Sequence, residues 1–269
     1  MLIAHRGGAA LRPENTLPAF RDAVHRWEAD MLELDLRTTR DGEVVVLHDA
    51  TVDRTTDGVG PVREMTWKEV AQLDAGFRFR DLSGRRSWQG RGVGIPRFED
   101  VLEALPETRI IAEVKTREAA KPFVEVVRRH RAHRRVLMAT AEDDARAGRH
   151  GYPGPSSASR TQIRLFMLLH RTAFGPLYTP ATDALQIPDS WEGRQVASDR
   201  VVAKAHARNI PVHVWTVNAE EDMERLLDWG VDGILTDRPD RLARVLGGRV
   251  ERDPPPGLRD GGPPDGAGR

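Results

Sequence analysis

Two hydrophobic periods alternate along this chain, and their order predicts its elements. Leu2-Ile3-Ala4 is a short apolar run that stops at His5-Arg6-Gly7-Gly8, a strand delivering a histidine and an arginine to its C-terminal end. The glycines there are read as leaving room for a ligand to approach the backbone. Leu17, Phe20, Val24 and Trp27 then recur at helical spacing, and Pro13 suits a first turn, so a helix is predicted over residues 14–28. Residues 31–36 alternate as a strand with Glu33 and Asp35 on one face. Asp41-Gly42 predicts a two-residue hairpin turn, with 44–48 as the returning arm, an antiparallel pairing expected to bring His48 beside Glu33.

Residues 50–94 break the pattern. Thr, Asp, Gly and Arg dominate, with one short helical piece over 67–73, so the segment reads as an insertion over the mouth. Regular structure resumes with helices over 98–105, 119–131, 142–149, 161–170, 199–208, 220–229 and 238–246. Strands interleave over 110–115, 136–139, 156–159 (a weak one), 184–187, 212–217 and 233–235. Leaving out the hairpin arm, eight strands alternate with helices, which predicts a TIM (β/α)8 barrel with a small insertion after the second strand's hairpin. A doubly wound open sheet competes, but no Gly-rich dinucleotide turn supports it. The expected barrel domain is 1–249. The Pro- and Gly-rich stretch 250–269 is expected to be a flexible tail.

Composition removes several function classes. Among 269 residues, Lys+Arg and Asp+Glu number 41 each, so no broad basic footprint for nucleic acid or a membrane surface is expected. There is no cysteine, hence no thiol nucleophile, disulfide framework or Cys-type zinc site. No secretory leader and no apolar run near 20 residues is visible, and the expectation is a cytoplasmic protein without stable membrane association.

The barrel reading gives the charged strand ends a common place, because inward residues at the C-terminal ends point into one mouth. Glu33, Asp35 and Glu113 would converge there. Three packed carboxylates repel unless a cation holds them, and oxygen-only ligation points to Mg²⁺ or Ca²⁺. His5 and His48 are candidate proton donor and acceptor near neutral pH. Arg6 can hold a phosphate or carboxylate through paired N–H donors. Only four of the 41 basic residues are lysines, so Lys115 on an inward position suggests that a compact charge is needed there. Trp215 either walls the pocket or fills the barrel.

A family resemblance rests on these same residues. His5-Arg6-Gly7 with Pro13-Glu14-Asn15-Thr16, Glu33-Leu34-Asp35, Asp41-Gly42 and Val46-Leu47-His48-Asp49 open it. Asp53-Arg54-Thr55-Thr56 with Gly58 and Gly60, Thr66, Leu73-Asp74-Ala75-Gly76, Ile95-Pro96 and Glu113-Val114-Lys115 continue it. Val214-Trp215-Thr216-Val217-Asn218 and Asp232-Gly233-Ile234-Leu235-Thr236-Asp237 complete it. In order and combination, over most of residues 2–246, they resemble the glycerophosphodiester phosphodiesterase family; residues 141–195 match loosely. The resemblance implies a TIM barrel, with His5 and His48 as acid–base pair and Arg6 and Lys115 as phosphate contacts. It implies Glu33, Asp35 and Glu113 as metal ligands and Trp215 as an aromatic wall beside the substrate.

The function so implied is metal-dependent hydrolysis of a small-molecule glycerophosphodiester to sn-glycerol 3-phosphate and an alcohol. A related phospholipase, sphingomyelinase D-like or phosphoinositide-specific, would need an apolar rim, and residues 50–94 are polar. A non-catalytic phosphate-binding barrel would be expected to lack a histidine or an acid, and none is missing.

Overall fold

Each apolar run becomes a short strand, and the segments of period 3.6 become helices around it. The computed structural model describes residues 1–140, 151–172 and 175–249. β1 (Leu2–Ala4) leads to α1 (Leu17–His25), and β2 (Met31–Thr38) folds back as β3 (Val44–Val46). After α2 (Trp67–Val70) and α3 (Phe98–Ala104) come β4 (Arg109–Val114), α4 (Arg117–Arg129) and β5 (Val136–Ala139). The second half holds α5 (Arg160–Leu169), β6 (Leu185–Pro188), a hairpin of β7 (Ser190–Trp191) and β8 (Arg194–Gln195), and α6 (Asp199–His206). It ends with β9 (Val212–Trp215), α7 (Glu220–Asp228), β10 (Gly233–Thr236) and α8 (Pro239–Arg249). The helix expected over 142–149 and the tail 250–269 lie outside the described residues.

Seven strands pair in parallel in the order β5-β4-β2-β1-β10-β9-β6. Residues 155–158 fill the remaining gap. On one side Ser157 N–H donates to Met138 O and Met138 N–H to Pro155 O; on the other, Ala158 N–H donates to Ala184 O and Asp183 N–H to Ser156 O, all at 2.9 Å. Eight staves in chain order thus close a ring, the TIM-type (β/α)8 barrel that the alternation predicted.

The period of two divides the interior into a floor and a mouth. Ile3, Met31, Ile111, Leu137, Ala184 and Leu235 pack together inside the barrel. Two positions on along the same strand faces stand His5, Glu33, Glu113 and Asp237, so apolar filling gives way to charge towards the C-terminal ends. Outside, Phe20, Phe98 and Phe123 pack the first helices against Leu32, Leu34 and Ile110, and Phe166, Val201, Met223 and Leu242 cover the other half. Burying each such side chain is worth about 1.5–3 kcal/mol, which fixes the staves that carry the mouth.

Several local expectations are corrected. α1 begins at Leu17, where the apolar spacing itself begins, and three residues later than Pro13 suggested. Asn15 sits at φ +58°, outside the helical region, and the Thr16 hydroxyl caps the helix by accepting Ala19 N–H. Pro18, not Pro13, occupies the first turn. The hairpin loop is three residues long rather than two, because Thr39 N–H bonds Glu43 O across Arg40-Asp41-Gly42. The resulting register pairs Leu36 with Val46 and sends Leu47 N–H to Asp35 O, so one step further His48 arrives opposite Leu34, between Glu33 and Asp35. The β7–β8 hairpin was not anticipated; its Glu192-Gly193 turn has both residues at positive φ.

Residues after β3 carry a small apolar cluster of their own. Val52, Val62, Val70, Ala75, Val93 and Ile95 pack with Val45 and Leu47, and Trp67 and Trp88 lean against them.

Candidate active site

The mouth loop after β1 is wound tightly. Arg6 lies at φ +50°, a conformation that costs a non-glycine residue roughly 1–2 kcal/mol. It is held there by its own N–H donating to Glu33 Oε2 at 3.0 Å and by Asn15 N–H donating to its carbonyl at 2.9 Å. The strain therefore sits on a residue whose guanidinium faces the acids. Gly7 and Gly8 do not leave space for a ligand, as the sequence suggested. A Cβ on Gly7 would lie 2.8 Å from Ala19 Cβ, and one on Gly8 2.9 Å from Pro239 Cγ. The glycines let α1 and α8 press against the loop.

The acids converge as expected. Glu33, Asp35 and Glu113 each offer an oxygen within 4.8 Å of the others. Ligands at 2.0–2.6 Å from a hard cation sit roughly 3–5 Å apart, and an all-oxygen set suits Mg²⁺ or Ca²⁺, so the residues fit such an ion. Lys115 Nζ lies 2.8 Å from both Asp35 and Glu113. Burial alone would push Lys115 down, but the two carboxylates prevail and raise it. Asp35 is 1% exposed and would be pushed up by burial, yet Lys115 and Arg6 hold it below its ordinary value. Glu33 goes the other way, raised by burial and by Asp35 beside it. Of the three acids, Glu33 is thus the one whose ionised form is least compensated by its neighbours.

Both histidines are held by an aspartate through Nδ1. His5 Nδ1 lies 2.7 Å from Asp237 and His48 Nδ1 2.7 Å from Asp49. An ionised carboxylate only accepts, so each Nδ1 donates and each Nε2 is the working nitrogen. His5 Nε2 is 3.9 Å from Glu33. Burial opposes the protonation of His5, but Glu33 and Asp237 outweigh it and raise the imidazole above its ordinary value. Asp237 is itself fixed by Asn218, which donates to its carboxylate at 2.9 Å and accepts its N–H at 2.9 Å.

Arg6 completes the arrangement. Its Nη1 donates to Glu14 at 3.0 Å. Its Nε is buried 3.3 Å from Asp35 Oδ2, without the alignment of a hydrogen bond and with no other partner. Asp35 already supplies the anionic oxygen beside this buried N–H. Trp215 ends β9 with 37% of its surface exposed, so it does not fill the barrel. His213, two residues earlier, does; both its ring nitrogens are unpartnered and burial pushes it down to about 4.

The sequence reading assigned no role to Asp237, Asp49, Asn15 or Glu14. Asp237 had a signal, standing two positions past Leu235 on an inward face. Asn15 stood in the Pro13–Thr16 motif without a role; its amide donates to Asp35 at 2.8 Å from a residue at φ +58°.

Charge gathered at the C-terminal mouth of an eight-stave barrel is the arrangement of TIM-barrel enzymes. Comparison with known proteins narrows the class. The sequence profile of the glycerophosphoryl diester phosphodiesterase family matches residues 5–241. A Mycobacterium tuberculosis protein named probable glycerophosphodiester phosphodiesterase 2 is 34% identical over 258 residues, 93% of this chain and 92% of that one. The glycerophosphoryl diester phosphodiesterase domain of another M. tuberculosis protein shares the fold, with a TM-score of 0.81 at 21% identity, covering 92% of this chain and 98% of its own. An Oleispira antarctica phosphodiesterase solved with its product sn-glycerol 3-phosphate aligns with a TM-score of 0.73 and 25% identity, over 92% and 96% of the two chains. The chain belongs to the glycerophosphoryl diester phosphodiesterase family, and so to the enzymes that hydrolyse phosphodiesters. No helix among the described residues is long and apolar enough to cross a membrane.

Proposed function

We propose that this enzyme hydrolyses small glycerophosphodiesters to sn-glycerol 3-phosphate and an alcohol, assisted by a divalent cation, with His5 and His48 as the proton-transfer pair. The observation that carries the reading is the cluster of Glu33, Asp35 and Glu113 within 4.8 Å, flanked by two imidazoles whose Nδ1 atoms are both tied to carboxylates. Glu33, Asp35 and Glu113 would hold Mg²⁺ or Ca²⁺. When bound, the ion supplies Lewis-acid polarisation of the phosphoryl group and offsets charge that develops there. Arg6 and Lys115 bind the diester oxygens and neutralise the same charge. One histidine accepts a proton at Nε2 from the attacking oxygen, and the other gives a proton from Nε2 to the leaving alkoxide. Water is the attacker directly, or opens the cyclic phosphate that attack by the glycerol 2-hydroxyl would leave. Trp215 walls the substrate side of the mouth.

The segment after β3 supports a deacylated substrate. Its aliphatic side chains turn into their own cluster, and Val59 and Leu82 are the large apolar ones it leaves exposed. With Mg²⁺ or Ca²⁺ present, glycerophosphocholine and glycerophosphoethanolamine are therefore expected to release glycerol 3-phosphate much faster than any diacyl phospholipid, measured by enzymatic assay of the product. Faster turnover of micellar phospholipid would replace this reading with a phospholipase.

A further inference from the structure

The run Asp53-Arg54-Thr55-Thr56 with Gly58 and Gly60 has no part in the mechanism above, yet its arginine reaches both sides of the mouth. Arg54 Nη1 and Nη2 donate to the two oxygens of Glu14, each at 2.7 Å, and Nε donates to Asp49 Oδ2 at 2.5 Å. Each of these carboxylates holds a residue of the site with its remaining capacity. Glu14 Oε1 also accepts Arg6 Nη1 at 3.0 Å, and Asp49 Oδ1 accepts His48 Nδ1 at 2.7 Å. From the geometry, and resting on the reading that His48 and Arg6 act on the diester, we infer that Arg54 is a positioning residue that sets both at once, His48 through Asp49 and Arg6 through Glu14.

The rest of the motif builds the turn that presents this arginine. Val52 N–H bonds Gly60 O at 3.0 Å, and Gly60 N–H returns to the Asp53 carboxylate at 2.9 Å. Thr56 is wholly buried and closes the inner side, its hydroxyl donating to Val52 O at 2.8 Å and accepting Gly58 N–H at 3.0 Å. Glu14 comes from the loop after β1 and Asp49 from the end of the hairpin arm, so neither fixes the other; the guanidinium joins them. Only a planar fork can do this, since an ammonium has no fixed set of coplanar donors. Nearly half of the Arg54 side chain is exposed, so these ion pairs add little to stability. Their effect lies in geometry, where an error near 1 Å costs on the order of 10²-fold in rate.

The test compares Arg54→Ala, Arg54→Lys, Asp49→Asn and the Arg54→Ala/Asp49→Asn double variant in the full chain. The readouts are steady-state kinetics on glycerophosphocholine with Mg²⁺, thermal midpoint, and ¹⁵N NMR of the His48 imidazole, assigned by its absence in His48→Gln. Arg54→Ala is expected to lose on the order of 10²-fold in kcat/KM. Its thermal midpoint should stay near that of the parent chain, and its His48 signals should depart from a single Nδ1–H tautomer. Arg54→Lys should not recover activity, and the double variant should be little worse than Arg54→Ala, as members of one chain are non-additive. Arg54→Ala within about twofold of the parent chain, full recovery by lysine, or unmoved His48 signals would each overturn the inference. If the parent chain turns over no diester, the functional reading fails separately. The imidazole signals still decide the clamp: a shift upholds it and no shift overturns it.

Discussion

Exhaustive chelation is expected to abolish diester hydrolysis, and added Mg²⁺ or Ca²⁺ to restore it. The reason is the crowding of Glu33, Asp35 and Glu113, one oxygen of each within 4.8 Å of the others, with Glu33 and Asp35 almost wholly buried. Lys115 compensates Asp35 and Glu113, but among the described residues no side-chain cation lies within ion-pair reach of Glu33 except His5 at 3.9 Å. Glu33 is therefore the acid with most to gain from a bound ion. Glu33→Gln and Glu113→Gln should each reproduce chelation, with losses on the order of 10²-fold or more in kcat/KM, while a folded far-UV spectrum survives. Elemental analysis of the purified protein and calorimetric titration with each ion check the stoichiometry. Full activity in chelated enzyme free of metal would overturn the assignment.

The second large effect is expected at the histidines. His5→Ala and His48→Ala should each lower kcat by roughly 10²–10⁴-fold, the usual contribution of a positioned general acid or base. Removing His5 leaves Asp237 with its hydrogen bond from Asn218, so the aspartate is not orphaned and the fold should hold. The double variant should lose far less than the product of the single losses. A p-nitrophenolate leaving group needs no proton and should rescue whichever single variant lacks the general acid, and not the other. Rescue of both to the same degree, or near-normal turnover of a natural diester by either, would show that the pair is wrongly assigned.

What could be read in the sequence follows the physics of each feature. Strand faces repeat every two residues, so Ile3 and His5, or Ile111 and Glu113, declare that a barrel interior changes from apolar to charged along one strand. That periodicity carried the barrel and the three acids. It put Asp237 on an inward face but could not pair it with His5, because that bond joins residues 232 positions apart and exists only once β10 pairs with β1. Nor could it set the register of the hairpin, which depends on a loop one residue longer than Asp41-Gly42 implied. The start of α1 was hidden for a different reason: Pro13 suits a first turn, but the apolar spacing begins only at Leu17, where a side-chain cap after a left-handed Asn15 starts the helix.

Where residues 155–158 complete the ring, the barrel has its weakest join. β2 and β4 share six residue pairs, whereas this stave makes one bridge to each neighbour, Met138 with Ser156 and Ser157 with Ala184. Its side chains here are small (Pro155, Ser156, Ser157 and Ala158), so little apolar burial backs those bonds. Local opening should begin there, and deuterium should enter the amides of Ser157 and Ala158 well before those of Ile111 or Leu34. A barrel opened at this seam is an ordinary sheet with two raw edges, β5 and β6, each free to pair with the same edge of another molecule. The resistance of this protein to self-association on warming would then be set by four hydrogen bonds remote in sequence from His5 and His48.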